Sequence, residues 1–218
     1  MGLTAENLAD MYGISRREQE EFALRSHRRA VAAQETGRFR SEIVPVKASI
    51  NGESTCLVTR DQLPKPDTTL DIMAAFPPIA SEGGTITVAT TSRPADGAAA
   101  LLLESETKAN EMGHRPMARI RSMAVCGVDP QVMGIGAVVA ARKALTRAGL
   151  QARYVDLWEV NEAFAVIPLV LVREMGLDLE RVNVNGGSVA LGHPMGCTGA
   201  RMVVSLVHEM ERRQARFG

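Results

Sequence analysis

Short strand-like runs at residues 85–90, 98–103, 118–125, 155–160 and 182–184 alternate with helical stretches at 105–112, 137–148, 162–174 and 198–212. No other feature narrows the fold as much, because strands that take turns with helices build α/β layers around a shared sheet. The run at 99–103 is apolar at every position, as suits a strand covered on both faces. Composition agrees: with 45% hydrophobic but 4% aromatic residues, the core must be filled by aliphatic side chains and alanine, which favours helices lying close on a sheet. A chain of 218 residues can bury roughly 70% of its extended surface, enough for one large domain or two small ones.

The first half reads differently. Residues 1–40 are predicted helical, with Thr4 capping a segment that ends at Gly13. Ser15 and Glu18 form a capping box before a longer stretch in which Phe22, Ala23, Ala30 and Val31 recur at helical spacing, and Gly37 is its stop. From there to about residue 84 the pattern is irregular: a short strand at 42–46, the turn Pro64-Lys65-Pro66-Asp67, and a short helix at 70–75.

Charge and cysteine usage exclude several function classes. The 25 basic and 25 acidic residues cancel and are interspersed, so there is no broad positive field for nucleic acid and no polybasic patch for anionic lipid. The longest apolar run falls far short of the roughly 20 residues of a membrane span, and residues 1–10 lack the pattern of a signal peptide. The expected compartment is the cytoplasm. Cys56, Cys126 and Cys197 are widely spaced and outline neither a disulfide framework nor a metal site.

Two segments can carry chemistry. In Trp158-Glu159-Val160-Asn161-Glu162 a strand gives way to a helix, and ligands gather beyond the carboxyl ends of strands in α/β sheets. Asn161 either presents its amide there or simply caps the helix. The second segment has five glycines within residues 186–199 and one imidazole, His193, which Pro194 holds away from helical dihedrals. Such a frame aims a general base. His27, His114 and His208 lack that context and read as structural or solvent-exposed. Cys197 lies near a helix N-terminus, where thiolate is favoured, yet a small buried packing role fits it better.

These residues together are recognisable. Asn161-Glu162-Ala163-Phe164-Ala165, followed by Asn185-Gly186-Gly187, Gly192-His193-Pro194 and Gly199-Ala200-Arg201, resembles the thiolases, with wording nearest the degradative 3-ketoacyl-CoA thiolases. The likeness runs over essentially the whole chain, from Met1-Gly2-Leu3-Thr4-Ala5-Glu6 onward. It implies an acetyl-CoA C-acyltransferase of fatty-acid β-oxidation with a layered α-β-α fold, coenzyme A as substrate rather than as a resident cofactor, and no metal. It also implies acyl-CoA as the other substrate, no nucleic acid, no membrane insertion, and a homo-oligomer or β-oxidation complex for the full-length protein.

By the same resemblance, His193 activates a nucleophilic cysteine and helps bind the thioester oxygen, and Asn161 holds a water at the second oxyanion site. Ala163 and Phe164 line the pantetheine tunnel, Ser92 bonds the pantetheine amide, and Met1 lies beside the thioester pocket. The implied division is a portion of the CoA-covering loop domain at 1–93, the last strand-helix unit of the N-terminal half at 94–117, and the C-terminal domain, without its final segment, at 118–218. The chain therefore reads as a central-to-C-terminal portion. Both cysteines that the family uses correspond to positions outside it, and none of the three present substitutes for them. Ala137 and Val139, where the family usually has prolines, and Arg93-Pro94 beside Ser92 depart from the pattern. The expectation is a chain without turnover of its own; the alternatives are a non-catalytic acyl-CoA-binding or assembly module, and an enzyme completed by a second polypeptide.

Overall fold

In the computed structural model, which describes residues 1–50 and 54–218, the capping box forms as the sequence predicts. Ser15 Oγ accepts the Glu18 N–H at 3.2 Å while Glu18 Oε2 accepts the Ser15 N–H at 2.8 Å. These bonds open α2 (Arg16–Glu35), which follows α1 (Gly2–Tyr12). Thr4 does not cap α1: the helix starts at Gly2, and the Thr4 hydroxyl donates back to the Met1 carbonyl at 2.7 Å. Gly37, at φ 72°, ends the region before a single 3-10 turn at Arg38–Ser41.

The shared sheet is where the structure departs most from the pattern. Among the described residues the one sheet is an antiparallel hairpin of β1 (Val46–Ile50) and β2 (Ser54–Val58), with Val46 opposite Val58. The strand expected at 42–46 begins only at its last residue, since Pro45 has no N–H to give a ladder. The five later runs form no ladder at all. Segments 155–160 and 182–184 meet at a single parallel bridge between Trp158 and Val182, and Thr87 bridges to Pro78.

Residues 98–103 and 118–125 have no strand partner among the described residues, and a strand without neighbours has no ladder partner for any of its backbone groups. Segment 121–128 nevertheless keeps a two-residue alternation. Ser122, Ala124, Cys126 and Val128 are half-buried, whereas Arg121, Met123, Val125 and Gly127 are exposed. The covered row lies on a later helix, with Ser122 Oγ donating to the Ala144 carbonyl at 2.7 Å and Cys126 Sγ to that of Gly136 at 3.4 Å.

Five helices land close to expectation: α3 (Leu70–Ala74), α4 (Glu106–Met112), α5 (Gly136–Ala148), α6 (Val166–Met175) and α8 (Met195–Arg213), while the short α7 (Ser188–Leu191) is not among those expected. The exception is α6, which starts at Val166 and not near 162. The backbone before it is bonded elsewhere: Ala165 N–H donates to the Thr90 carbonyl at 2.8 Å, and Ser92 N–H donates to that of Ala163 at 3.1 Å. Val166, Val170 and Leu171 of α6 are buried in the main core with Leu8 of α1, Val138 of α5 and Ile86. A smaller cluster joins Ala23 and Leu24 of α2 to Met73 of α3 and Val189 of α7. Both cores flank the 159–165 and 182–193 segments and hold them in place.

Candidate active site

Asn161 is set by the residues that precede it. Val160 donates its N–H to Asn183 Oδ1 at 2.7 Å and accepts at its carbonyl from Asn183 Nδ2 at 2.9 Å, so a side chain completes the pairing that the backbone bridge began. Asn183 adopts a left-handed φ of 46° to do so. Asn161 does not cap α6, whose N-cap is Ala165, so its amide is free to face the site. His193 sits on a clamped loop: its N–H donates to the Arg93 carbonyl at 2.8 Å, and Pro194 is the N-cap of α8. The preceding Gly192 has φ 91°, and a Cβ there would come within 2.6 Å of the Ala95 Cβ, so no other residue fits.

The two residues meet. Asn161 Nδ2 lies 3.4 Å from His193 Nε2, and Asn161 Oδ1 accepts the Ser188 hydroxyl at 2.7 Å. On the other side of the ring, Nδ1 is 2.7 Å from Thr198 Oγ1, which donates its own hydrogen to the Pro194 carbonyl at 3.1 Å. Thr198 therefore accepts, Nδ1 carries the ring proton, and Nε2 offers a lone pair. Protonating Nε2 would set an N–H against the Asn161 NH2. Burial first, and the Arg201 charge second, push the imidazole below the ordinary histidine range. A neutral imidazole with an open Nε2 can accept a proton and then donate to an oxygen.

Next to the pair lies a carboxylate to which the sequence assigns no role, that of Glu162. Glu162 is completely buried, and its Oε2 accepts from Ser26 Oγ at 2.7 Å and Val189 N–H at 3.0 Å while Oε1 accepts from Asn183 Nδ2 at 2.7 Å. A Cβ on Gly187 would stand 2.3 Å from this carboxyl, so the glycine pair 186–187 lets Glu162 and α2 press against the loop. The side chain of Glu159, two residues before Asn161, is 6% exposed, and its burial raises the carboxyl to about 8 despite the Arg201 guanidinium 3.5 Å away. The only sign of either role in the sequence is a charged residue standing inside an apolar run.

The other predicted residues divide. The Ser92 hydroxyl donates to the Ala163 carbonyl at 3.2 Å and Thr91 bridges to Phe164, so Ser92 lies beside Ala163 and Phe164, which are themselves buried in the main core. Met1 is 69% exposed at the start of α1, and its described hydrogen bonds are local, from Thr4 and Ala5. Among the described residues no hydrogen bond joins a cysteine sulfur to His193; Cys197 is half-buried in the first turn of α8 and Cys56 lies on β2.

Residues 1–107 match the model of the thiolase N-terminal domain and residues 114–218 that of the thiolase C-terminal domain. The chain belongs to the thiolase family. It is 46% identical to a 3-ketoacyl-CoA thiolase of Bacillus subtilis, covering all of this chain and 58% of that one. A 3-ketoacyl-CoA thiolase of Aliivibrio fischeri is 48% identical, with 57% of its length covered. The crystal structure of a Bacillus anthracis acetyl-CoA acetyltransferase superimposes with a TM-score of 0.95 at 46% identity, over 98% of this chain and 54% of that one. Human mitochondrial 3-ketoacyl-CoA thiolase in complex with CoA superimposes at 0.89 and 41% identity, over 99% and 53%. The chain thus has a thiolase fold while spanning little more than half the length of its relatives, in keeping with the unpartnered runs at 98–103 and 118–125. No helix among the described residues is long and apolar enough to cross a membrane.

Proposed function

We propose that this chain supplies the base and one oxyanion-site group of a 3-ketoacyl-CoA thiolase, which cleaves 3-ketoacyl-CoA with CoA to acetyl-CoA and a shortened acyl-CoA in β-oxidation. The observation that carries the reading is the Asn161–His193 contact, with the Nε2 lone pair beside a side-chain amide donor. His193 takes the proton of a cysteine thiol and then, as a donor, helps bind the thioester oxygen, while Asn161 holds a water where the second negative charge develops. The adjacency of Ser92 to Ala163 and Phe164 supports pantetheine binding along that segment, with CoA as substrate, and Met1 is placed at the thioester pocket on the resemblance alone.

In this reading residues 1–93 belong to the CoA-covering loop domain, 94–117 close the N-terminal half, and 118–218 form the C-terminal domain. The protein works in the cytoplasm as a homo-oligomer or within a β-oxidation complex. The nucleophilic cysteine is not among Cys56, Cys126 and Cys197, so the chain alone has no turnover.

Co-expression with the part of the Bacillus subtilis thiolase outside the matched region tests this. Cleavage of acetoacetyl-CoA that depends on CoA, and that His193→Ala abolishes, is the expected result. Cleavage by the chain alone, or complementation indifferent to His193, overturns the reading. A non-catalytic acyl-CoA-binding module would instead bind CoA in calorimetry yet gain no activity from the added portion.

A further inference from the structure

The polar groups around the reacting pair form a chain with a fixed direction, because one end can only donate and the other can only accept. Arg201 is a pure donor, and its Nη2 reaches Ser188 Oγ at 3.4 Å. Ser188 therefore spends its single proton on Asn161 Oδ1, 2.7 Å away, which turns the Asn161 NH2 toward His193 Nε2. At the far end the Pro194 carbonyl accepts from Thr198, so Thr198 accepts from Nδ1. Were the Asn161 amide flipped, Oδ1 would face the ring and stabilise a proton on Nε2, and the imidazole would have no lone pair for an incoming thiol proton.

We propose that Arg201, acting through the Ser188 hydroxyl, is a positioning residue that holds the orientation of the Asn161 amide and thereby the Nδ1–H tautomer of His193. Arg201 is itself fixed for this task. Its side chain is half-buried, and its Nη1 reaches Glu159 Oε2 at 3.5 Å. Ser188 is fully buried between them in the first turn of α7. The inference rests on reading Asn161 and His193 as the reacting pair, but its test needs no turnover, so the two can fail separately.

The experiment is nitrogen-15 NMR of the histidine side chains in the full chain near neutral pH, with His193 assigned by its loss in His193→Gln. Wild type should show His193 in the Nδ1–H form. Ser188→Ala removes the donor to Asn161 Oδ1 and should shift the tautomer ratio roughly fivefold toward Nε2–H, as expected for one lost hydrogen bond. His27, His114 and His208 should stay in place, Ser188→Thr should restore the wild-type pattern, and Arg201→Gln should repeat the shift. A wild-type His193 in the Nε2–H form overturns the proposal. So does an unchanged His193 in Ser188→Ala and Arg201→Gln while the other three histidines keep their signals. If both variants lose those signals together, Thr198→Val probes the chain from its other end, and a His193 tautomer indifferent to it is equally fatal.

Discussion

Ser26 and Glu162, 136 positions apart in sequence, share a hydrogen bond of 2.7 Å that ties α2 to the floor of the candidate site. Ser26 Oγ also accepts the Gly187 N–H at 3.0 Å, so one hydroxyl serves both the carboxylate and the glycine loop. Ser26→Ala strands a buried N–H and removes one donor from a buried carboxylate, at a cost of roughly 1–3 kcal/mol. Glu162→Gln should cost a similar amount, because its NH2 must face either Asn183 Nδ2 or the Ser26 and Val189 donors. Urea unfolding followed by circular dichroism measures both. Midpoints equal to wild type would mean that this carboxylate does not anchor the loop.

Glu159 sets a pH dependence with a definite sign. Its folded-state carboxyl lies at about 8, above its ordinary 4.5, because burial outweighs the Arg201 charge. The folded state therefore holds the proton more tightly than the unfolded chain does. Its contribution is full below about pH 4.5 and declines until about pH 8. The decline is on the order of 3–5 kcal/mol. His27, lowered to about 4 by burial, works in the opposite direction, its contribution being lost as pH falls. Subtracting the Glu159→Gln stability curve from that of wild type cancels His27, and the difference should run against wild type as pH rises. A flat difference would place the ionised form in the native state.

Several local signals in the sequence are legible in the structure, although Thr4, also a local signal, does not cap α1. The Ser15–Glu18 box, the stop at Gly37 and the glycine frame of His193 depend on residues within a few positions of each other, and the structure reproduces them. The meeting of Asn161 with His193 followed from the resemblance, since no periodicity links positions that far apart. The sequence assigns Glu162, Ser188, Thr198 and Arg201 no role of their own, because a polar side chain inside a fold is defined by its partners, and those partners come from α2, α7 and α8. The α/β class holds, and the absence of ladders in the later runs has a related cause. The strand-like pattern at 98–103 and 118–125 suits those segments to a sheet, but a ladder exists only where a neighbouring strand does.

Those same segments lead to a prediction about solution behaviour. Leu102, Leu103, Met123 and Val125 are 79%, 70%, 74% and 83% exposed, and both stretches present backbone without strand partners among the described residues. Clustered apolar surface beside open backbone invites association between copies. The purified chain should therefore bind an apolar dye and scatter light increasingly with concentration. Introducing Leu103→Lys and Val125→Lys together should reduce both signals while moving unfolding stability by no more than about 0.5 kcal/mol, as expected at exposed sites. Leu8→Ala, at a core position only 1% exposed, provides the contrast and should cost about 2–5 kcal/mol. If the double lysine variant instead loses stability as Leu8→Ala does, residues 103 and 125 are packed in solution, and the open faces are not the source of association.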